Sequence, residues 1–589
     1  MSYRNTGEIR LHGISASPGI SIGKAYLVDK EGVDVVEKYL IREKQLKNEI
    51  NRFKAAVKKS KDELNAVIDE TPGELWQHAS ILEAQKVLLK DKMFYGKTIE
   101  IINSERVNAE WALKKTVSNI KTMFRKLPDS YLMERMEDIG HASDLIIRNL
   151  VGAKQVNIGE IYKRVILVAR NLSPAETSQI QLEKIKAFVT DRGSMSSHTA
   201  IVARTLEIPA VLGLADATNI IQNDDVIVVD GMLGMVVIHP EEQTLIDFAE
   251  RKIRYDEYKA AITRTGHFPA KTTDGIHLQI MGNIELHEEV VSVIDHGGDG
   301  IGLLRTEFQY LSRLDFPIED ELFDNYKDVV EVMAPKPVTI RTLDINGDKA
   351  ISNTPCDEEA NPALGLRGIR YCLTKTDVFI TQLRAILRAA AFGNVRIMFP
   401  MISTLDEICK AKKILNETAD SLDKEGVKFN RDIEIGIMIE VPSAVIMADL
   451  MAKEVDFFSI GTNDLIQYSM AIDRDNRKVA HLYQPLEPAI IRMLKHVADV
   501  TANSNIKLFM CGEMASSPIH IPVLLGMGMD ELSMNPQSIP EVKAMIRSLS
   551  VKSSKQIMKD VLKQTSAADI LNLLQEFCGD ILPDKDFTG

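Results

Sequence analysis

The stretch IEIGIMIE (433–440) is an apolar run that ends in a carboxylate, and this pattern recurs along the second half of the chain. Seven further runs of similar length are HLQIMGN (277–283), GIGLLRTE (300–307), PVTIRTLD (337–344), NVRIMFP (394–400), FFSIGTND (457–464), KLFMCGE (507–513) and ELSMN (531–535). Helical segments separate them. Eight parallel strands that alternate with helices over about 250–320 residues predict a (β/α)8 barrel. The same alternation also suits an open doubly wound sheet.

Polar side chains end most of these runs. They are Asn283, Arg305, Glu307, Arg341, Asp344, Glu440, Asn463, Asp464, Cys511, Glu513 and Asn535. Because the active site of such a barrel forms at the carboxyl ends of its strands, we expect these side chains around one mouth. Charges placed at random on a surface would not follow strand ends in this way.

Several cationic side chains lie at or soon after the predicted strand ends. They are Arg305, Arg341 and Arg474, with Arg367 in NPALGLRGIR and Lys349 in DINGDK as further candidates. Guanidinium groups match phosphate and carboxylate oxygens in a two-pronged fashion. Each arginine taken alone fits a structural ion pair better, but the set together predicts a small and highly anionic substrate.

Three further side chains at the predicted mouth are candidates for chemistry. Glu440 and Asp464 offer oxygen ligands that suit Mg²⁺ or Mn²⁺, although each carboxylate could instead pair with an arginine. A buried free cysteine such as Cys511 usually acts as a small apolar side chain. Its place at the mouth makes catalysis an equally good interpretation.

The sequence pattern that indicates secondary structure changes twice in the first half of the chain. Residues 13–29 show turns and short strands, a helical pattern with little glycine or proline follows, and strand-like runs resume at 165. We therefore predict a small α/β domain that a helical bundle interrupts. A charged segment at 241–264 predicts a linker helix. The predicted domains are residues 1–33 with 152–240 (α/β), 34–151 (helical bundle), 241–271 (linker helix and hinge) and 272–589 (barrel).

One histidine of the α/β domain stands at a turn before a helix, in TDRGSMSSHTAIVARTLEIPAVLG (190–213). Helix N-termini attract anions, so a neutral imidazole at His198 is suited to act as a nucleophile and carry phosphate. The residues alone favour a plainer interpretation, in which Ser196 or Ser197 caps the helix and His198 is an ordinary first-turn residue.

Composition restricts the partners and the compartment. The formal net charge of −13 and pI of about 5.6 argue against general nucleic-acid binding. The five cysteines form no C-x-x-C pair, as is usual in a reducing compartment. The charged N-terminal sequence and the lack of an apolar run of about 18 residues predict no signal peptide and no membrane insertion. The expected location is the cytoplasm.

Long motifs in the right order make the chain resemble Enzyme I of the phosphoenolpyruvate:sugar phosphotransferase system over essentially its whole length. The matching motifs are SSHTAIVAR (196–204), DGIGLLRTEF (299–308), RTLDINGDK (341–349), NPALGLRGIR (361–370), IMIEVPSA (437–444), DFFSIGTNDLIQYSMAIDR (456–474) and CGEMA (511–515). The resemblance implies a phosphoenolpyruvate-dependent transferase. It would phosphorylate itself and pass the phosphoryl group to the carrier protein HPr, releasing pyruvate, as the first step of sugar uptake.

The resemblance also implies roles for individual residues. His198 would be the phosphorylated nucleophile, in a swivelling phosphohistidine domain, with Thr177 as a hydrogen-bond partner of its ring. Cys511 would protonate the departing enolate. The phosphate contacts implied are Arg305, Arg341, Arg474 and the turn Asn463–Asp464, with Arg367 and Lys349 as further anionic contacts. Glu440 and Asp464 would hold Mg²⁺, the helical bundle would dock HPr, and the barrel would form a homodimer.

The chain departs from the family in two loops. Gly193-Ser194-Met195-Ser196-Ser197-His198 stands where the family usually has G-G-R-T-S-H, and Asn346 stands where glycine is usual.

Three other functions are alternatives. Related dikinases carry an ATP-binding domain, for which this chain has neither the room nor a G-x-x-x-x-G-K-[ST] loop. The nitrogen-system paralogue carries an extra sensor domain. The last alternative is a binding protein that has lost turnover.

Overall fold

A computed structural model describes residues 7–28, 39–70, 86, 89, 92–124, 139–140, 142–143, 145–150, 164–172, 184–193, 198–205, 207–310, 315–345, 361–474, 476, 479 and 482–581. The chain divides into two compact units. One comprises Met1–Tyr258 with Asp584–Gly589, and the other comprises Lys259–Pro583. In the described part of the chain, no helix has the length and apolarity needed to cross a membrane.

The first unit contains a mixed sheet. Its strands are β1 (Ile9–His12), β2 (Ile14–Ser17), β3 (Ile20–Leu27), β4 (Val165–Ala169), β5 (Ile185–Thr190), β6 (Ala210–Leu212), β7 (Val226–Asp230) and β8 (Met235–Ile238). They lie in the order β1-β8-β7-β3-β4-β5-β6-β2. Every residue of β4 is buried, as expected of a continuous apolar run inside a sheet. Two helices of this unit are His198–Thr205 and Ala217–Ile220.

A helical part interrupts this sheet, as the sequence predicts. β3 and β4 are parallel neighbours, with Ala25 opposite Ile166, and the helical segments lie between them in the chain. Those described are Leu46–Glu70, Lys97–Glu105, Ala109–Phe124 and residues 145–150. Phe53, Ile102 and Leu113 are fully buried in their shared core. The predicted α/β domain with an inserted helical bundle is therefore confirmed.

The predicted linker helix spans Glu242–Thr265 and ends at the glycine that follows it. The boundary between the two compact units falls inside this helix, between Tyr258 and Lys259. In the first unit, Arg251 of the helix lies 3.0 Å from the fully buried carboxylate of Asp230. In the second unit, the Arg547 guanidinium donates a hydrogen bond of 2.9 Å to the Thr265 hydroxyl.

The second unit is built on a closed parallel barrel. Its strands are β10 (His277–Ile284), β11 (Ile301–Leu304), β12 (Val338–Arg341), β13 (Val395–Phe399), β14 (Glu434–Ile439), β15 (Phe457–Ile460), β16 (Lys507–Met510) and β17 (Glu531–Met534), and the short β9 (Ala270–Lys271) precedes them. β10 pairs with both β11 and β17, which closes the sheet. The (β/α)8 barrel is confirmed, and the open sheet is wrong.

Helices surround the barrel strands. They are Glu289–Asp295, Glu319–Met333, Ile369–Thr374, Thr376–Ala389, Leu405–Glu425, Pro442–Ile446, Ala448–Met451, Thr462–Met470, Pro488–Ser504, Ile521–Met527, Ile539–Ser548, Val551–Val561 and Ala567–Cys578. Apolar side chains between the strands and these helices form one large core, in which Tyr326, Phe379 and Phe399 are almost fully buried.

Several strands end earlier than the sequence suggested. β15 stops at Ile460, and the Thr462–Met470 helix begins where the prediction still had strand. Asn463 and Asp464 are therefore not a turn but the first turn of that helix. Asp464 is stabilised there by the positive end of the helix dipole. Most of the polar residues follow the strands rather than ending them, although Arg341 is the last residue of β12 and Asn283 lies within β10.

The amino ends of the strands carry a charge cluster, called here the base cluster: the buried Arg396 and Glu531, with the more exposed Glu434 and Lys507. The Arg396 guanidinium lies 2.8 Å from a carboxylate oxygen of Glu531 and 2.8 Å from one of Glu434. Lys507 pairs with the other oxygen of Glu434 at 2.6 Å. Both carboxylates of the base cluster thus have a cationic partner.

Candidate active site

The carboxyl ends of the barrel strands hold most of the predicted site residues. Arg341 is the last residue of β12, Glu440 directly follows β14, and Cys511 directly follows β16. These positions follow from the parallel sheet, because all its strands end at the same rim. Asp464 and Arg367 join this group from a helix and a loop that follow other strands.

Asp344 lies between two arginines. Its Oδ2 is 3.2 Å from Arg341 Nη1, while Arg367 contacts both oxygens, with Nε 2.9 Å from Oδ1 and Nη2 3.1 Å from Oδ2. Burial raises the pKa of Asp344, but the charges of Arg367 and Arg341 outweigh burial and hold the pKa below its usual value. Asp344 is therefore an ionised anchor for both guanidinium groups.

Glu307 holds Arg341 from the neighbouring strand end. Its Oε1 lies 3.0 Å from Arg341 Nη2 and also accepts the Asp344 N–H at 2.9 Å. Burial lowers the pKa of Arg341, but the charges of Glu307 and Asp344 raise it further than burial lowers it. The guanidinium stays charged, and two carboxylates fix its orientation.

Arg367 links this group to the helix after β15. Its Nη2 is 3.1 Å from Asp464 Oδ2, and its Nη1 donates to the Tyr468 hydroxyl at 3.0 Å. Asp464 and Tyr468 stand four residues apart, which places them on one face of the helix. Arg367 thus bridges Asp344 and Asp464, and it is mostly buried while doing so.

Glu440 is a buried carboxylate with a different environment. Its Oε1 accepts the Met401 N–H at 2.6 Å, and within the described part of the chain it forms no ion pair with a cationic side chain. Burial, followed by the charges of Asp464 and Asp344, raises the pKa of Glu440 to about 8. A Cβ at Gly461 would lie 2.8 Å from Glu440 Oε2, so only glycine leaves room beside this oxygen.

A divalent cation fits this environment. The negative charges of Asp464 and Asp344 act on Glu440, and a bound cation would offset them. Among the described residues, no group of three or more His, Cys, Asp or Glu side chains is arranged to hold a metal ion. Mg²⁺ does not need such a group, because it commonly binds one or two carboxylates and keeps water and substrate oxygens as its other ligands.

The other predicted phosphate contacts differ in how they are held. Arg305 is partly exposed and pairs with Glu285, which is also partly exposed. Arg474 is exposed on the segment after the Thr462–Met470 helix. Asn463 exchanges two hydrogen bonds with Glu513: its amide donates to Glu513 Oε1 at 3.1 Å, and its Oδ1 accepts the Glu513 N–H at 3.0 Å. Arg305 and Arg474 are therefore the more accessible cations of the set.

Cys511 is buried in the interior of the barrel. Leu303, Met398, Met438 and Phe457 belong to the same apolar cluster. Burial raises the pKa of the Cys511 thiol to about 11, although the Ser459 hydroxyl and the charge of Arg341 act in the opposite direction. The thiol therefore carries its proton at neutral pH, as a proton donor must.

Three predicted residues are described only in part or not at all. His198 is the first described residue of the His198–Thr205 helix, and the residues directly before it and its own side chain are not described. Thr177 and Lys349 lie outside the described residues, as do Ser194 and Met195 of the unusual loop. The roles predicted for these side chains stay predictions.

Sequence reasoning missed the partners that orient the predicted side chains. Glu307 and Asp344 were noted only as polar strand ends, although each follows an arginine by two or three residues. The four-residue spacing from Asp464 to Tyr468 is a signal that could have been used. Ser459 is a single hydroxyl inside the buried run FFSI, and a lone polar residue in a buried strand merits the same attention.

Three family models match the chain. The PEP-binding domain of PEP-utilising enzymes matches residues 259–551, their N-terminal domain matches 12–135, and their mobile domain matches 161–234. Together these matches cover both compact units. The barrel site described above lies within the first of them.

Full-length relatives match as well. A phosphoenolpyruvate-protein phosphotransferase of Bacillus sp. (strain S) is 43% identical over 569 residues, which is 96% of this chain and 98% of the relative. The protein of the same name from Geobacillus stearothermophilus gives the same figures. That of Bacillus subtilis (strain 168) is 42% identical over 567 residues, covering 96% of this chain and 99% of the relative.

Proposed function

The chain belongs to the phosphoenolpyruvate-protein phosphotransferases, the Enzyme I family, and from this we propose how its residues divide the reaction. It is a transferase that takes a phosphoryl group from phosphoenolpyruvate and passes it to a protein. One observation carries the assignment of the site. A fixed set of arginines and carboxylates surrounds the buried and unpaired Glu440 at the carboxyl ends of the barrel strands.

Phosphoenolpyruvate binds at this mouth in our proposal. Arg341 is oriented by Glu307 and Asp344, while Arg305 and Arg474 are accessible enough to close on the phosphate. Arg367, Asn463 and Lys349 are proposed as further contacts to the anionic substrate. Phosphoryl transfer depends mainly on positioning and charge neutralisation, which pre-oriented guanidinium groups supply.

Glu440 and Asp464 are the proposed ligands of Mg²⁺, and Mn²⁺ suits the same oxygen donors. Glu440 supports this assignment, because it is a buried carboxyl group that forms no ion pair with any described cationic side chain, although the charges of Arg341 and Arg367 act on it. When bound there, such a cation would supply positive charge that stabilises the anionic substrate and product. Arg367 holds Asp464 in place through the contact of its Nη2 with Asp464 Oδ2.

Cys511 is proposed as the general acid of the barrel site. Its raised pKa keeps the thiol protonated, and its position after β16 places it at the mouth. The thiol gives its proton to the methylene carbon of the enolate, which becomes the methyl group of pyruvate. This proton transfer removes the enolate and so favours the forward direction.

His198 is proposed as the phosphoryl acceptor, with Thr177 as a hydrogen-bond partner of its ring. Its place in the first described turn of a helix, after the Gly/Ser-rich segment of the sequence, supports this, since free N–H groups and the dipole at a helix start favour a phosphate. His198 and the barrel site belong to different compact units. We therefore propose that residues 241–271 act as a hinge that lets the phosphohistidine domain of residues 1–33 and 152–240 swivel.

The helical domain of residues 34–151 is proposed to dock HPr, the carrier that receives the phosphoryl group from His198. The barrel domain of residues 272–589 is proposed to join two copies of the chain. Exposed apolar side chains on successive short helices, Ile446 at 69% and Leu450 at 37%, support a contact surface there. The cytoplasm is the proposed location, in line with the sequence composition.

Radiolabelled phosphoenolpyruvate tests the proposal directly. The wild-type chain, incubated with Mg²⁺, should acquire the label, and purified HPr should then remove it. His198→Ala should acquire none, while keeping its circular dichroism spectrum. A wild type that stays unlabelled would contradict the proposed reaction, and a labelled His198→Ala variant would contradict the acceptor.

A further inference from the structure

A hydroxyl group contacts the proposed acid of the barrel. The Ser459 hydroxyl donates a hydrogen bond to Cys511 Sγ at an O–S distance of 3.3 Å. Both side chains are buried, at 2% and 5% exposure. Ser459 lies on β15, one residue before the strand ends, and β15 pairs in parallel with β16, which leads into Cys511. The strand pairing therefore sets this contact, rather than a mobile loop.

The thiol has a second partner on the same strand. Cys511 Sγ donates to the Ile460 carbonyl at 3.7 Å, and the Cys511 N–H donates to the same oxygen at 3.1 Å. The sulfur thus has one acceptor and one donor from adjacent residues of β15. In this arrangement the proton points at Ile460, and the sulfur lone pairs face Ser459.

The apolar surroundings of Cys511 make the Ser459 hydroxyl important as a hydrogen-bond donor. Phe457, Phe509 and Met438 are among the apolar neighbours of Cys511, and they offer no strong hydrogen bond to a sulfur that has lost its proton. An anion left in such surroundings is costly unless a donor faces it. The Ser459 hydroxyl already faces the sulfur and needs no movement to stabilise it.

We propose that Ser459 is a positioning residue for the proton transfer by Cys511, because it orients the sulfur and stabilises the thiolate that the transfer leaves. This rests on the proposed function. In the step, the S–H bond breaks and its electron pair stays on sulfur. The enolate electrons form the new C–H bond, and the enolate oxygen becomes the carbonyl oxygen of pyruvate. Water re-protonates the thiolate after pyruvate leaves.

Deuterium exchange isolates this step from phosphoryl transfer. The full chain is phosphorylated with phosphoenolpyruvate and then incubated with pyruvate and Mg²⁺ in D₂O. Deuterium entering the pyruvate methyl group is measured by NMR, against a blank of Cys511→Ala. Ser459→Ala should slow exchange by about 10- to 100-fold, the factor expected for a lost hydrogen bond to a charged group. Labelling of His198 from phosphoenolpyruvate should change far less.

The pH profile separates this role from a merely structural one. In the exchange direction the thiolate removes a proton from pyruvate, so the rate rises with pH. The Ser459 hydroxyl lowers the pKa of the Cys511 thiol, so Ser459→Ala should move the profile to higher pH. Ser459→Thr keeps a hydroxyl and should exchange at close to the wild-type rate. Ser459→Val, whose side chain has nearly the shape of threonine but no hydroxyl, should exchange as slowly as Ser459→Ala. This pair keeps the test decisive if the alanine variant does not fold.

Thr339→Val is the matched control, since it removes a buried strand hydroxyl with no hydrogen-bond partner among the described residues. It should leave exchange unchanged. The inference would be overturned by equal exchange rates for Ser459→Ala and wild type, or for the Thr and Val variants, in proteins whose His198 still becomes labelled. An unlabelled wild type would instead reject the proposed function itself.

Discussion

Both ends of the barrel hold buried arginines and carboxylates, yet the two clusters differ in one respect. In the base cluster, Glu434 and Glu531 each pair with Arg396, and Glu434 also pairs with Lys507. At the mouth, Asp344 and Asp464 are paired, but Glu440 is buried without a cationic side chain in the described part of the chain. A completed set of ion pairs is typical of a structural cluster, whereas a buried carboxyl group with a raised pKa and no ion-pair partner indicates a candidate ligand-binding site.

The largest expected effect comes from breaking the base cluster. Arg396→Met leaves Glu531 and Glu434 without their shared partner, which should lower the free energy of unfolding by about 3–5 kcal/mol. Urea unfolding measures the loss. The rate of phosphoryl transfer per folded molecule should not change.

Arg396→Met with Glu531→Leu is the matched control for this prediction. It replaces the buried pair by apolar side chains and should recover most of the lost stability. A single variant as stable as the wild type would show that the base cluster does not hold the strand ends together.

The opposite result is expected at the mouth. Arg341→Lys keeps a positive charge but cannot span Glu307 and Asp344 with a planar fork. Phosphorylation by phosphoenolpyruvate should fall by about 10²- to 10³-fold, as when one oriented donor is removed from an active site. Thermal unfolding should change little. Arg431→Lys, at an exposed ion pair with Asp420, serves as the control and should alter neither measurement.

A smaller effect concerns thiol reactivity. With its pKa raised to about 11, Cys511 should react with iodoacetamide at least about 100-fold more slowly at neutral pH than a thiol of ordinary pKa. Its rate should rise about tenfold for each pH unit up to that pKa. Exposed Cys409 provides the reference in the same molecule, and mass spectrometry reads both sites. Equal rates at the two cysteines would contradict the buried, protonated thiol.

The smallest predicted effect sharpens the contrast between the two clusters. Glu440→Gln removes the unpaired carboxylate, so the protein should lose no stability, unlike Arg396→Met. The Mg²⁺ concentration needed for half-maximal activity should rise by at least about tenfold. Metal affinity falls by about that factor even when the lost residue only hydrogen-bonds to a metal ligand. A titration of activity against Mg²⁺ tests this. An unchanged requirement would remove Glu440 from the proposed metal site.

The sequence was sufficient for the barrel because each strand is a short apolar run, and eight such runs with polar endings leave few other folds. It was not sufficient for strand ends. In FFSIGTND (457–464) the sequence shows no clear boundary between the strand and the polar residues after it. In the structure the strand ends at Ile460 and a helix begins at Thr462. A helix start could have been suspected from Thr462, Asn463 and Asp464, residue types that are common there, although the N-cap is Gly461 and makes no side-chain hydrogen bond.

Pairing within the site could not be predicted, since it depends on which strand ends meet. Asp344 joins Arg341, three residues away, with Arg367, 23 residues away. Nothing in the spacing indicates that Asp344 should pair with two arginines while Glu440 forms no ion pair with a described cationic side chain. The contact of Ser459 with Cys511 arises in the same way, because it crosses between strands whose paired residues are 50 positions apart in the chain.

The placement of the helical part between β3 and β4 constrains how the first unit can be re-engineered. These strands are parallel neighbours, so the chain has to return from the end of one to the start of the other. Such a return needs a crossover of a dozen or more residues, which a hairpin turn cannot provide. The helical part is therefore an enlarged crossover rather than an attached module. Its excision would need a replacement helix, whereas its exchange for another helical block with a similar distance between its ends would preserve the sheet.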